Sequence, residues 1–202
     1  MTPGTVRLQA VAEITWRPKE SIRNMQVQGI APWPDDADRD AAQRRYDGAK
    51  ALALVVVDSL IKQGMSLEVA GECVRDHHGV ISLFLDEVEN HQFPTPRFVS
   101  HIALPVEDSL AGVAWEPVIV AGGDGTADEL TEIIKGALAG ASKIVATRDG
   151  RTAKRHLGGL HVASVSIPEA YRLLRVRAKA QGYVVDGRAI LKLSDKPEGG
   201  EG

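Results

Sequence analysis

Two prolines, Pro94 and Pro96, divide the chain into stretches with different hydrophobic patterns. Proline removes a backbone donor and disfavours helix at the preceding residue, so this pair ends any helix that reaches it. Before the pair, apolar residues recur with the period of amphipathic helices, whereas after it short alternating runs are typical of strands. The chain is therefore predicted to have a mostly helical N-terminal part and a separate C-terminal part.

The N-terminal pattern predicts five helices. They are marked by Leu8 to Ile14, by Ser21 to Ile30, by Leu52 to Lys62 ending at Gly64, by a helix capped at Ser66, and by Val80 to His91. Serine accepts a hydrogen bond from the first helical turn, and glycine adopts the left-handed conformation that closes a helix. The overall class is predicted to be α+β, with a head over 1–75, a connecting helix over 76–92, a small α/β domain over 93–196 and a disordered tail over 197–202.

The C-terminal pattern predicts alternating strands and helices. The strands are expected at His101–Val106, Val118–Ala121, Ile144–Thr147 and Val162–Ile167, and the helices at Thr126–Leu138 and Pro168–Gln181. Val184–Leu193 is predicted to be a last strand or a hairpin. This alternation indicates a small α/β domain.

Charge and cysteine content narrow the classes of function. The formal net charge is −3, which argues against binding nucleic acid through bulk positive charge, so a DNA contact needs a local basic cluster. The single cysteine, Cys73, allows neither an internal disulfide nor a thiolate cluster for zinc, and it is interpreted as a small buried residue. Because the sequence shows no signal-peptide pattern and no membrane-spanning run, we expect a cytoplasmic protein without membrane contact. We also expect no bound metal and no cofactor.

Several short motifs fall in a fixed order along the first 75 residues. They are the run Leu8 to Thr15, Ser21-Ile22-Arg23, Gly29-Ile30-Ala31-Pro32, Arg45-Tyr46-Asp47 and Gly64-Met65-Ser66-Leu67-Glu68. In this order and spacing they resemble the head of MerR-family regulators. The resemblance implies a winged helix-turn-helix, a sequence-specific transcriptional regulator, and a homodimer on a near-palindromic promoter site. Trp16-Arg17 departs from the usual Gly-Val turn.

Polar and basic side chains cluster around the proposed recognition helix and wing. The candidate DNA-binding residues are Arg17, Lys19, Ser21, Arg23, Asn24, Arg44, Arg45 and Tyr46. Arginine and lysine bind phosphates, and arginine also forks onto guanine in the major groove. In the alternative interpretation Arg44 and Arg45 are only solvated and Tyr46 packs on the third helix.

The predicted connecting helix has a broad apolar face formed by Val80, Ile81, Phe84, Leu85 and Val88. This face either joins two copies or packs on its own head. A basic run after it, Arg172, Arg175, Arg177 and Lys179, is interpreted as a solvated helix face or as a contact for RNA polymerase or another protein. In the MerR resemblance, the C-terminal part would sense a small-molecule effector.

A glycine-rich loop suggests a different function. Gly122, Gly123, Asp124, Gly125 and Thr126 resemble the nucleotide loop of diacylglycerol and NAD kinases, where a glycine turn before a helix suits phosphate. The alternatives are a phosphate-containing ligand, small-molecule kinase activity, or a tight strand-to-helix turn. The second glycine-rich element of those kinases is absent, and no catalytic constellation follows from spacing, so we predict that the chain is not an enzyme.

Overall fold

The computed structural model describes residues 4–34, 45–108, 112–116, 128, 131–132, 134–136, 155–156 and 161–193. The helices whose bounds lie within these residues are α1 (Leu8–Thr15), α2 (Lys19–Val27), α3 (Gly48–Lys62), α4 (Leu67–Asp76), α5 (His78–Glu89) and α6 (Ile167–Ala180). The strands are β1 (Phe98–Asp108), β2 (Gly112–Glu116), β3 (Arg155–His156), β4 (His161–Ser166), β5 (Tyr183–Asp186) and β6 (Ala189–Lys192).

Helix α3 is the centre of the described fold because most of its residues are apolar and buried. Ten of its fifteen residues are buried, and it packs against α1, α4, α5, α6 and β4. Its first turn is capped by Asp47, whose carboxylate accepts from the Lys50 N–H at 2.9 Å. The predicted cap of α4 is confirmed, since Ser66 Oγ accepts from the Val69 N–H at 3.3 Å. Gly64 has φ +96°, the left-handed conformation expected after a helix.

The sheets are antiparallel, and this makes the fold α+β. Strand β1 pairs with β4 along its first half, and with β2 and β3 along its second half, while β5 and β6 form a hairpin. The predicted strands at 101–106 and 162–167 are confirmed, and 183–192 is the hairpin. The predicted strands at 118–121 and 144–147 lie outside the described residues, so the small α/β domain predicted over 93–196 stays a prediction. A helix is predicted over 126–138, and the residues described within it, 128, 131–132 and 134–136, are helical.

The predicted domain boundary at residue 92 does not divide the described core. Helix α6 packs on α1 and α3, and a single cluster of buried side chains runs from Val11 to Ile190. The hairpin also joins the head through its backbone, since the Gly48 N–H donates to the Arg188 carbonyl oxygen at 2.7 Å and the Ile190 N–H to that of Gly4 at 2.8 Å. Distant parts of the chain therefore share one core.

The apolar face of α5 is covered by the same chain. Val80, Ile81, Phe84 and Leu85 are buried, and the Phe84 ring meets the Tyr171 ring of α6 edge-on at 5.5 Å between centroids. Of the two alternatives for this helix, packing within its own chain is the one observed, so these four residues form no free dimer face. In the described part of the chain, no helix is both long and apolar enough to cross a membrane.

Candidate nucleic-acid interface

Helices α1 and α2 pack on each other across a short turn, and the residues on their inner sides are apolar. Val11 and Ile14 on α1, and Ile22 and Met25 on α2, have no exposed surface. Trp16 closes α1 in the left-handed conformation at φ 58°, and the following Arg17 N–H donates to the Ala12 carbonyl oxygen at 3.1 Å. Pro18 then precedes α2, where its fixed φ suits the start of a helix. The turn therefore has three residues and two well-anchored helices.

The outward side of α2 is polar. Lys19, Arg23, Asn24 and Gln28 are exposed, and Val27 is 85% exposed. The only acidic residue on the helix is Glu20, whose carboxylate lies 3.9 Å from Lys19 Nζ. Among the described residues, Arg23 and Asn24 have no side-chain partner. These side chains are therefore free to bind a ligand with both anionic and hydrogen-bonding groups.

Arg17 is directed into the protein and does not belong to this outward side. It is 8% exposed and forms an ion pair with Asp58 of α3. It also donates to Ser21 Oγ at 3.1 Å. The prediction that Arg17 contacts DNA does not fit this geometry, because its charge is already used to attach the turn to α3. Half-buried Ser21 takes part in the same attachment.

A third residue of this attachment comes from the C-terminal helix. Arg177 of α6 donates to the Thr15 carbonyl oxygen at 3.0 Å, and its guanidinium carbon lies 4.9 Å from the centre of the Trp16 ring. Its Nη1 lies 3.9 Å from Asp58 Oδ2. Sequence reasoning grouped Arg177 with the exposed basic run of α6. Its spacing from buried Ala170 and Leu174, seven and three residues earlier, is the signal that would have placed it on the inner stripe.

Tyr46 is buried and contacts α2 from the inside of the protein. The Tyr46 ring is 2% exposed and meets the Trp33 ring edge-on at 6.0 Å, and its hydroxyl accepts from Gln26 Nε2 at 3.0 Å. Its backbone pairs with Val6. A phosphate contact by Tyr46 therefore does not fit the structure. Arg45 is half-buried, and Arg44 lies outside the described residues.

The other predicted sites have different outcomes. The loop of Gly122, Gly123, Asp124, Gly125 and Thr126 lies outside the described residues. Within the described ranges no group of three or more metal-binding side chains is found. Cys73 is confirmed as a buried residue, and burial raises the pKa of its thiol to about 11.

Comparison with known proteins assigns the chain to no family: no protein-family model matches it, and no curated protein matches it significantly.

Proposed function

We propose that this protein is a sequence-specific DNA-binding transcriptional regulator that places α2 in the major groove. The observation that carries the proposal is the contrast between the two sides of α2. Its inner residues Ile22 and Met25 are completely buried and the helix packs on α1, whereas Lys19, Arg23 and Asn24 are exposed. The arrangement supports a winged helix-turn-helix, in which the second helix reads bases.

The outward side chains match what the major groove offers. Arginine binds the two acceptors of guanine, asparagine binds the acceptor and donor of adenine, and an apolar side chain contacts the thymine methyl group. Arg23, Asn24 and Val27 supply one of each within five residues of a single helix. Lys19, at the start of α2, is placed to bind a phosphate rather than a base.

The rigidity of the turn supports the same function. A reading helix must keep its angle to the rest of the protein, because a small rotation moves its side chains away from the base edges. Arg17, Asp58 and Arg177 connect the turn, α3 and α6 through charged groups that are mostly buried. This attachment ties the orientation of α1 and α2 to the positions of α3 and α6.

Selection from a pool of random duplex DNA, using the full chain, tests the proposal. We expect a preferred sequence and an affinity that falls steeply with rising salt, because phosphate contacts release counterions. Arg23→Ala should weaken binding to the selected duplex by about 5- to 150-fold and relax the preference at one base pair. Lys192→Ala removes an equal charge from the exposed end of β6 and is the matched control, expected to leave binding nearly unchanged. Recovery of no preferred sequence, or equal effects of the two substitutions, would contradict the proposal.

We also propose that two copies bind a near-palindromic promoter site. Two heads read half-sites about one helical turn apart, and this spacing produces the symmetry of the operator. The copies would have to meet through a surface other than the buried face of α5. A selected site containing a single half-site, together with one protein chain per duplex at saturation, would exclude this arrangement.

A further inference from the structure

A cavity of about 410 Å³ lies between α6 and β5, away from the outward side of α2. Small-molecule sites in proteins have volumes of about 300 to 1,000 Å³. The helix contributes three cations and Val176, the strand contributes Tyr183, Val184 and Val185, and Tyr171 and Leu193 complete the lining. We propose that this cavity binds a small organic anion with an apolar body and, resting on the proposed function, that this ligand regulates DNA binding.

The cations of the cavity are aligned by the helical repeat. Arg172, Arg175 and Lys179 are three and four residues apart, so they lie along one stripe of α6. Like charges at this spacing repel each other, and no acidic side chain is found among the described residues that line the cavity. An anion placed there would remove this repulsion.

Two other interactions balance only part of the positive charge along this stripe of α6. Arg172 forms an ion pair with Glu169, with 2.8 Å between Nη2 and Oε2, and both side chains are exposed. Lys179 lies in the last turn, where a cation complements the helix dipole, but Arg172 and Arg175 lie before that turn. The guanidinium of Arg175 lies 5.9 Å from the centre of the Tyr171 ring and is available to an anion beside it.

The remaining wall indicates that the ligand has an apolar body. Val176 is 59% exposed and Leu193 is 44% exposed, although both line a concave surface. Covering such side chains is favourable in proportion to the apolar area removed from water. A DNA backbone offers this wall only the small C–H groups of its sugars, whereas a carboxylate on an aromatic or aliphatic body satisfies both the wall and the cations.

Helix α6 connects this cavity to the helix-turn-helix. Its opposite side carries Arg177, which binds the Thr15 carbonyl oxygen and stacks on Trp16. On the cavity side, the Tyr171 hydroxyl accepts from the Gly187 N–H at 2.9 Å, which attaches the hairpin to the same helix. A ligand that prefers one position of α6 therefore favours one position of the turn before α2, and its effect on DNA affinity cannot exceed its preference between those positions.

Calorimetric titration of the full chain with 2-naphthoate tests the site without any DNA. We expect one ligand per chain, with acetate and 2-naphthamide binding at least about tenfold more weakly because each lacks either the apolar body or the charge. The double variant Arg175→Gln/Lys179→Gln should reduce 2-naphthoate affinity by about tenfold or more, and Val176→Asp should do the same. Lys62→Ala, which removes an exposed charge at the end of α3 outside the cavity lining, is the control and should leave the affinity unchanged. Equal binding of acetate, unchanged binding by both cavity variants, or no binding of 2-naphthoate would overturn the proposed site.

A second measurement separates the site from its regulatory role. The affinity for the selected duplex is compared with and without saturating 2-naphthoate, and a change that disappears in Arg175→Gln/Lys179→Gln supports regulation. Ligand binding with an unchanged duplex affinity overturns the regulatory part alone. If no duplex is selected at all, the proposed function fails, while the naphthoate titration still decides the site.

Discussion

Asp58 of α3 lies beside Arg17 of the turn between α1 and α2 and beside Arg177 of α6. Its substitution by asparagine tests how much these contacts contribute to the stability of the fold. Its carboxylate pairs with Arg17 and lies 3.9 Å from Arg177. The side chains of the two arginines are 8% and 6% exposed, and that of Asp58 is 20% exposed. Asp58→Asn retains the shape and one acceptor but leaves both guanidinium groups without a carboxylate.

The size of the effect follows from the burial of these groups. Removing one partner of a buried ion pair costs about 3 to 5 kcal/mol, because the other charge stays buried and unpaired. Since Asp58 is partly exposed and an amide oxygen still accepts a hydrogen bond, we expect about 3 kcal/mol. For a domain of this length that corresponds to a fall of about 6 to 12 °C in melting temperature.

Thermal unfolding followed by circular dichroism at pH 7 measures this loss. The control is Glu169→Gln, which removes the carboxylate of the exposed pair with Arg172 and should cost less than about 0.5 kcal/mol. If Asp58→Asn lowers the melting temperature no more than Glu169→Gln does, the buried cluster does not hold the turn in place.

Three further predictions concern the packing around α3 and α5. Gly48→Ala should destabilise the fold by about 2 kcal/mol or more, because an added Cβ would overlap the Gly187 carbonyl oxygen; an unchanged urea midpoint would show that the hairpin is not docked there. The Cys73 thiol, with its pKa raised by burial to about 11, should react with a disulfide reagent at pH 8 only as fast as the chain opens, and immediate stoichiometric labelling would contradict its burial. Burial lowers the pKa of His78 below its usual 6.5, so the unfolded chain binds more protons below that pH, and stability should fall as the pH drops from 7.5 to 5.5. His78→Gln should flatten this dependence, whereas parallel pH profiles of the two proteins would assign it to other groups.

The helices of the first half could be predicted because their signals are local. Each is defined by its own apolar stripe and by nearby caps such as Ser66 and Gly64. How the helices pack is not a local property. The spacing of Ala170, Leu174 and Ala178 indicates that one side of α6 is buried, but it does not say that α1 and α3 cover it.

The candidate site was predicted in part, for a related reason. A short local pattern predicts the helix that carries Lys19, Arg23 and Asn24, and all three residues are exposed on it; their contact with DNA is a proposal. The sequence groups Arg17 with these residues because it lies beside the start of the same predicted helix. Its partner, Asp58, lies 41 residues away, and pairing at such a distance leaves no trace in local periodicity.

Nuclear magnetic resonance of the ¹⁵N-labelled full chain, titrated with the selected duplex, tests DNA reading by α2 most directly. We expect the largest shifts at the backbone amides of residues 19–28 and at the side-chain N–H groups of Arg23 and Asn24. The amides that line the α6–β5 cavity should change little. Shifts concentrated at that cavity, with α2 unaffected, would contradict the assignment of α2 as the reading helix.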